Sequence, residues 1–140
     1  MSEEAARALA ETLTREHRNL DELFGRFLAA AARGEAESAR RAIEEFDSEL
    51  RRHMALEEER LLPKPPGHKL APPQEEREDE RLFRELRLEH VQIRELSAMI
   101  VRQLAEKADL AAAHALAGNL ARRWDAHTTR EERNLFPLNR

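Results

Sequence analysis

Two sets of histidine and glutamate at matched spacing could bind metal ions. Each half of the chain has two histidines and a glutamate four residues after the second histidine: His17, His53 and Glu57, then His90, His127 and Glu131. The histidines are 36 residues apart in one set and 37 in the other, and the sets are offset by about 74 residues. Neutral imidazole and carboxylate are common metal ligands, so the repetition predicts a site for two metal ions.

The composition favours an all-α protein of one domain. A chain of 140 residues suits a single domain over 1–140 with its own core. Alanine, leucine, glutamate and arginine are abundant, which is typical of helical proteins. Charged residues reach 37%, but the 41% apolar residues recur at helical spacing, which favours a folded chain over a disordered one.

Charge and residue counts argue against several function classes. The net charge of −4 gives no reason to expect nucleic acid as a partner. No apolar run approaches the roughly 20 residues that cross a bilayer. The first residues lack the basic-then-apolar order of a secretory signal, so we expect a cytoplasmic protein with no membrane contact. The absence of cysteine removes disulfides, thiol catalysis and iron–sulfur ligation.

The apolar pattern predicts four helices in two similar halves. Helices are predicted over about residues 2–32, 37–60 and 74–106, and the fourth runs from an N-cap at Asp109 to just before Pro137. The halves, 1–62 and 74–137, are joined over 63–73 by a proline-rich connection that cannot be helical. Short loops after the first and third helices make neighbours antiparallel, so we expect an up-down-up-down antiparallel four-helix bundle.

The spacing also predicts that the four histidines share one layer of this bundle. His17 lies about 16 residues before the first turn and His53 about 19 after it, while His90 and His127 lie about 17 before and 19 after the second turn. At roughly 1.5 Å per residue, the members of each pair differ in height by about 5 Å or less. The two glutamates lie one helical turn from His53 and His127, on the same faces.

Other polar residues near the layer are expected to play no part in metal binding. Glu58 and Glu132 follow the proposed ligands and are rotated by about 100°, so we expect them to face solvent. His68 and His114 have no counterpart in the other half and should lie on the surface. Trp124, the only tryptophan, should lie in the core, where it could also form a wall of the metal pocket.

The competing interpretation is a buried polar layer held together by hydrogen bonds alone. Burial of two carboxylates and four imidazoles without a metal would cost several kcal/mol unless each group found a partner. A further histidine with an acidic residue four positions later is not repeated in the two halves. Asp21 lies four residues after His17, but Arg94 lies four residues after His90. We therefore expect Asp21 to be a surface charge.

The residues resemble hemerythrin and the hemerythrin-like HHE cation-binding domains. The resemblance is carried by the six ligand residues and by the segments EHR around His17, EEERLLP from Glu57, EH at His90 and REERNLFP ending at Pro137. It spans nearly the whole chain. It implies a four-helix bundle with a non-haem di-iron centre, in which Glu57 and Glu131 bridge two iron ions that share an oxo or hydroxo bridge.

The resemblance implies a binding protein rather than an oxygen carrier. Arg94 stands where oxygen-carrying hemerythrins have a further histidine, which leaves four histidines and an open position on each iron. Such a centre is similar to the sensing and repair branches of the family. The first hypothesis is therefore a protein that binds dioxygen, peroxide or nitric oxide, or that senses iron or redox state. Manganese or zinc could replace iron, and no protein partner is indicated.

Two alternatives remain. The same centre could serve an oxidase or peroxidase, although the Glu-x-x-His signature of ferritin-like enzymes is missing: the residues three before the ligand histidines are Thr14, Leu50, Arg87 and Trp124. The chain has no tyrosine, which excludes a tyrosyl radical. Alternatively the metal could be purely structural, for example zinc. We assign no catalytic residue and no organic cofactor.

Overall fold

The protein is all-α, as the composition predicts. The computed structural model describes residues 2–63 and 76–139, in which there are four α-helices and no strand. The helices are α1 (Glu3–Ala32), α2 (Ala36–Arg60), α3 (Glu78–Glu106) and α4 (Leu110–Arg130). None of the described helices combines the length and the apolar character needed to span a membrane.

Side-chain caps start α1 and α4. Ser2 accepts a hydrogen bond from the backbone N–H of Ala5, and Asp109 accepts one from Ala112, each at the N-terminus of its helix. These bonds satisfy N–H groups that have no partner within the helix. The predicted N-cap at Asp109 is therefore confirmed.

The loops after α1 and α3 are three residues long and contain backbone in the left-handed region. Gly34 has a φ of 74° and closes α1 with a Schellman motif, in which Glu35 donates to the carbonyl of Ala30 and Gly34 to that of Ala31. Ala108 has a φ of 49° in the second loop, where a side chain makes this conformation less favourable. The helix that follows each loop packs against the helix that precedes it.

Two predicted helix boundaries differ from those in the structure. Helix α3 begins at Glu78 rather than near 74, and the predicted connection over 63–73 lies almost wholly outside the described residues. The fourth helix does not simply stop before Pro137. Its α-helical part ends at Arg130 and continues as a π-helical turn (Glu131–Leu135) and a 3₁₀ turn (Phe136–Asn139). Pro137 is accommodated early in that last turn, where its missing N–H costs little.

Two apolar clusters lie on either side of the predicted histidine layer. Helices α1 and α2, α2 and α3, and α3 and α4 pack against each other, and α4 also contacts α1. The larger cluster includes Phe24, Phe27, Phe46, Leu50 and Trp124. The smaller one consists of Ala10, Leu13, Leu61, Leu62, Leu86, Leu135 and Phe136. Along every helix the histidine layer falls between these clusters, so hydrocarbon separates it from both ends of the bundle.

Candidate metal centre

All six residues of the repeated sets converge in one buried layer. Each side chain is at most 2% exposed, and every helix contributes at least one residue: His17, His53, Glu57, His90, His127 and Glu131. The four histidines turn Nε2 toward the two carboxylates. The side-chain positions that the sequence predicts for this layer thus agree with the structure.

The Glu57 carboxylate lies between histidines of both halves. Its Oε2 is 3.2 Å from Nε2 of His53 and 3.6 Å from Nε2 of His17. Its Oε1 is 3.2 Å from Nε2 of His90. One carboxylate therefore presents one oxygen to the first histidine pair and the other oxygen to the second pair.

Glu131 mirrors this arrangement from the other half of the chain. Its Oε1 is 3.1 Å from Nε2 of His17, and its Oε2 is 3.0 Å from Nε2 of His127 and 3.2 Å from that of His90. Both glutamates thus span the two histidine pairs. A carboxylate in this position can bridge two cations, one on each side.

The ligand atoms form two compact groups that share the glutamates. Within each group the candidate ligand atoms lie within 4.8 Å of one another: one group is His17, His53, Glu57 and Glu131, and the other is Glu57, His90, His127 and Glu131. Six of these inward-facing atoms are buried without a hydrogen bond: Nε2 of His17, His53 and His127, both oxygens of Glu57 and Oε1 of Glu131. Buried polar atoms are rarely left unpaired. The donor set therefore fits a pair of metal cations.

A second ring of four carboxylates holds the outer nitrogens of the histidines. Nδ1 lies 2.7–2.8 Å from a glutamate oxygen in the pairs His17–Glu132, His53–Glu16, His90–Glu58 and His127–Glu89. An ionised carboxylate only accepts hydrogen bonds, so Nδ1 carries the proton and donates. This arrangement leaves the lone pair of Nε2 directed into the centre and fixes the orientation of each ring.

The prediction that Glu58 and Glu132 face solvent holds for Glu132, which is exposed, but not for Glu58, which is partly buried, and both also accept a bond from a ligand histidine. Each points away from its own helix's ligand face, but the outer nitrogen of a histidine on another helix lies there. Glu58 is 28% exposed and Glu132 41%, so both are partly accessible while they accept these bonds. In the sequence the outer carboxylates stand next to ligand residues, in two Glu-His dipeptides at 16–17 and 89–90 and two Glu-Glu dipeptides at 57–58 and 131–132, but this pattern does not show which histidine each one contacts.

Three of these outer carboxylates also contact an arginine. Arg94 donates to Glu58 and Arg130 to Glu89, each at 2.8 Å, and Arg52 lies 3.5 Å from Glu16. These cations offset the negative charge that surrounds the centre. Arg94, which stands where a further histidine ligand would be expected, thus supports His90 through Glu58.

Histidine and arginine partners lower the pKa of three of the outer carboxylates. The hydrogen bond from His90, followed by that from Arg94, outweighs partial burial and lowers the pKa of Glu58 to about 2. The hydrogen bond from His53 lowers the pKa of Glu16. Partial burial raises the pKa of Glu89, but the bonds from His127 and Arg130 lower it by more. All three are therefore ionised at neutral pH and accept protons from their histidines.

The inner groups stabilise one another as charged species when no metal is bound. Burial alone would lower the pKa of the histidines, but the two central carboxylates raise that of His17 to about 10 and that of His90 to about 11. Burial raises the pKa of Glu57 and Glu131, and the surrounding histidines lower it below the ordinary value. In the metal-free protein protons thus occupy the position that a cation would take.

Aromatic rings enclose the His17 side of the centre. The Trp124 ring centroid is 5.5 Å from that of His17 and 6.3 Å from that of His53, and Phe136 stacks on His17 at 5.7 Å. Trp124 is buried, as predicted, and donates through Nε1 to Asp21 at 2.7 Å. Asp21 is exposed, as predicted for a surface charge, and by accepting this bond it also ties α1 to α4.

The structure describes one of the two remaining histidines. His114 is exposed on α4, as predicted. His68 lies outside the described residues.

Comparison with known proteins gave a family match to the first half of the chain. Residues 2–65 match the family model described as hemerythrin HHE cation binding domain. Comparisons with curated proteins and with solved structures gave no match. The resemblance predicted from the sequence is confirmed over these residues, and the buried layer of histidines and glutamates is of a kind that suits metal binding.

Proposed function

We propose that the protein binds two iron ions and through them dioxygen or a related small ligand, or that it reports iron or redox state. The observation that carries the proposal is the pair of ligand groups that share Glu57 and Glu131. His17 and His53 would hold one ion, and His90 and His127 the other. The two glutamates would bridge them.

The chemistry of the donor set favours iron or manganese over zinc. Imidazole and carboxylate suit all three metals, but paired sites bridged by carboxylates are typical of iron and manganese. Four histidines, rather than five, leave room for an exogenous ligand on each ion. When bound, ferrous iron supplies electrons and an open coordination position for dioxygen, peroxide or nitric oxide.

The chain's own residues would hold the ions and restrict water. The outer carboxylates keep Nδ1 protonated and Nε2 turned inward, so the histidines need no reorientation to bind a cation. Leu20, Leu50, Leu86 and Leu120 are buried around the layer and exclude bulk water. These features suit a binding or sensing role as well as an oxidase, and no residue in the layer favours the enzymatic alternative.

The proposal also includes the topology of the bundle and the extent of the domain. The three-residue loops after α1 and α3 and the shared histidine layer support an up-down-up-down bundle over a single domain, 1–140. The ligand set of 90–131 repeats that of 17–57, which supports the same family assignment for the second half.

The decisive experiment is elemental analysis of protein purified without oxygen, followed by absorption spectra before and after oxygen is admitted. We expect about two iron ions per chain and a near-ultraviolet band of an oxo-bridged diferric centre after oxygen is added. A colourless protein that contains zinc, with no response to oxygen, would instead indicate a structural metal.

His53→Ala tests the ligand assignment against a matched histidine. The variant should lose stoichiometric iron and melt at least roughly 5 °C lower, because metal binding stabilises the folded state. His114→Ala changes an exposed histidine outside the layer and should alter neither quantity. Equal metal content in the two variants would contradict the assignment.

A further inference from the structure

The outer face of α3 exposes apolar side chains. The described residues expose four large apolar side chains, and three of these lie on α3: Leu88 at 53%, Val91 at 41% and Met99 at 38%. Leu88 and Met99 are eleven residues apart, about three helical turns, so they lie on one stripe of the helix. A single exposed leucine is ordinary, but an apolar stripe on the solvent side of one helix indicates a contact.

Charged side chains along the same stripe form no ion pair with the residues that the structure describes. Arg81, Glu95, Arg102 and Glu106 are exposed, and none of them forms an ion pair within the described part of the chain. Other surface charges do pair within their own helix, as in Arg26–Glu22 on α1 and Arg51–Asp47 on α2. The stripe on α3 therefore leaves its charges available to another molecule.

The order of these charges is antisymmetric about the middle of the stripe. Arg81 lies seven residues before Leu88, and Glu106 lies seven residues after Met99. Seven residues are about two turns, so each charge is on the same side of the helix as its apolar neighbour. The two ends of the stripe thus have opposite charges at equal distances from matching apolar residues.

We propose that α3 is the interface of a two-fold symmetric dimer in which the α3 helices of two copies pack antiparallel. Leu88 of one copy would contact Met99 of the second copy, and Arg81 would pair with Glu106 of the second copy. The two-fold axis repeats each contact, which gives two apolar contacts and two ion pairs. The stripe from Arg81 to Glu106 is about 38 Å long at 1.5 Å per residue, enough for an extended helix pair.

Polar groups at the centre of the stripe fit the same arrangement. Gln92 lies four residues after Leu88 and Glu95 four residues before Met99, so each faces the other across the two-fold axis. The Gln92 carbonyl accepts a hydrogen bond from Arg123 at 3.0 Å, which leaves its amide N–H groups free to donate to Glu95 of the second copy.

A second copy fits this surface better than a different protein or a parallel pair. An isologous interface requires a surface that is complementary to itself after a two-fold rotation, and the reversed charge order of α3 meets this requirement. A parallel pair would place Arg81 against Arg81 and Glu106 against Glu106. Like charges in contact would oppose that arrangement. The proposal concerns the outside of the bundle and does not depend on the metal centre.

Charge reversal with rescue tests the ion pairs. Sedimentation velocity over a concentration series should show a monomer–dimer equilibrium for the wild-type chain. Arg81→Glu and Glu106→Arg should each weaken the dimer by roughly tenfold, because each change creates two like-charge contacts. The double variant Arg81→Glu/Glu106→Arg should restore it. Arg18→Glu reverses an exposed charge on α1 and should leave the equilibrium unchanged.

Cysteine cross-linking tests the antiparallel register independently. The chain has no cysteine, so introduced thiols are the only ones present. Under mild oxidation, Leu88→Cys/Met99→Cys should form a disulfide-linked dimer, whereas Leu88→Cys alone should not. Both positions are exposed, so the substitutions leave the core intact. A wild-type chain that stays monomeric at all concentrations, or a Leu88→Cys variant that cross-links as readily as the double variant, would overturn the proposal.

Discussion

Each ligand histidine has a carboxylate beside both of its ring nitrogens. Nε2 faces the central carboxylates, and Nδ1 donates to an outer carboxylate on another helix. Because the outer bond fixes the tautomer, the inner nitrogen presents a lone pair rather than a proton when a cation is bound. The outer glutamates should therefore affect metal affinity although they do not face the metal.

Glu89→Gln tests this role at one histidine. The substituted amide would still reach Nδ1 of His127 but would lose the charge that strengthens the bond and the ionic contact with Arg130. We expect ferrous ion affinity to fall by roughly tenfold to a hundredfold, measured anaerobically by competition with a chelator. Glu11→Gln, an exposed position on α1, serves as the matched control. Equal affinities for the two variants would contradict a positioning role for Glu89.

The inner residues could be predicted from the sequence, but the outer ones could not. Glu57 and Glu131 share a helical face with His53 and His127, and that face can be read from one helix alone. Glu58 and Glu132 lie off that face, and only the position of a neighbouring helix shows that a histidine is beside them. A pattern within one helix has no information about that neighbour.

At the scale of the helices, the first turn depends on a glycine in the left-handed region. Gly34 has a φ of 74° and no atom near the position of an added Cβ, so backbone conformation rather than space requires glycine there. Gly25 lies in the exposed middle of α1 and also has open space around it. The backbone of Gly34 is in the left-handed region, which favours glycine, whereas the backbone of Gly25 is α-helical.

Substitution of these glycines by alanine should give opposite effects. Gly34→Ala should lower the free energy of unfolding by about 1 kcal/mol, because a Cβ disfavours the left-handed conformation. Gly25→Ala should raise it by about 0.5–1 kcal/mol, because alanine favours a helix more than glycine does. Urea denaturation measures both. A change of the same sign in both variants would show that local packing, rather than backbone preference, dominates.

Helix ends that are marked by a capping residue or a glycine could be predicted from the sequence, and the other helix ends could not. Gly34 and Asp109 act through the backbone groups next to them, so the end of α1 and the start of α4 agree with the prediction. The π-helical turn at Glu131–Leu135 has no such signature. Its effect is that Phe136 donates to the carbonyl of Glu131, and in the first half Leu62 likewise donates to that of Glu57. The backbone carbonyl of each central glutamate therefore accepts a bond from the residue five positions on, a wider spacing than the four of an α-helix.

At the scale of the whole molecule, two apolar clusters enclose a charged layer that is stable only if its charges are compensated. Protons provide that compensation in the metal-free protein, and cations would provide it in the loaded protein. The two states should therefore respond differently to pH. The sequence predicted the layer through its repeat, but not which groups would hold protons, because that depends on burial and distance.

The melting temperatures of loaded and metal-free protein should diverge as pH rises. The pKa values of His17 and His90, about 10 and about 11, exceed the ordinary value of 6.5. The stability that these two protonated histidines contribute is therefore fully present below pH 6.5. It is lost as pH rises through the folded-state values. Metal-free protein should thus melt at lower temperature at about pH 10 than at about pH 7, whereas a bound cation needs no proton on Nε2. Thermal melts of chelator-treated and untreated protein at several pH values measure the gap, and parallel curves would contradict the explanation.

The position of the only indole in the chain has a practical consequence. The Trp124 ring centroid lies 5.5–6.3 Å from the ring centroids of three ligand histidines. The chain has no tyrosine that would add to the tryptophan fluorescence. Intrinsic fluorescence therefore originates at a single point beside the centre. The protein has a built-in optical probe through which filling, emptying or oxidation of that centre can be followed in real time without a label.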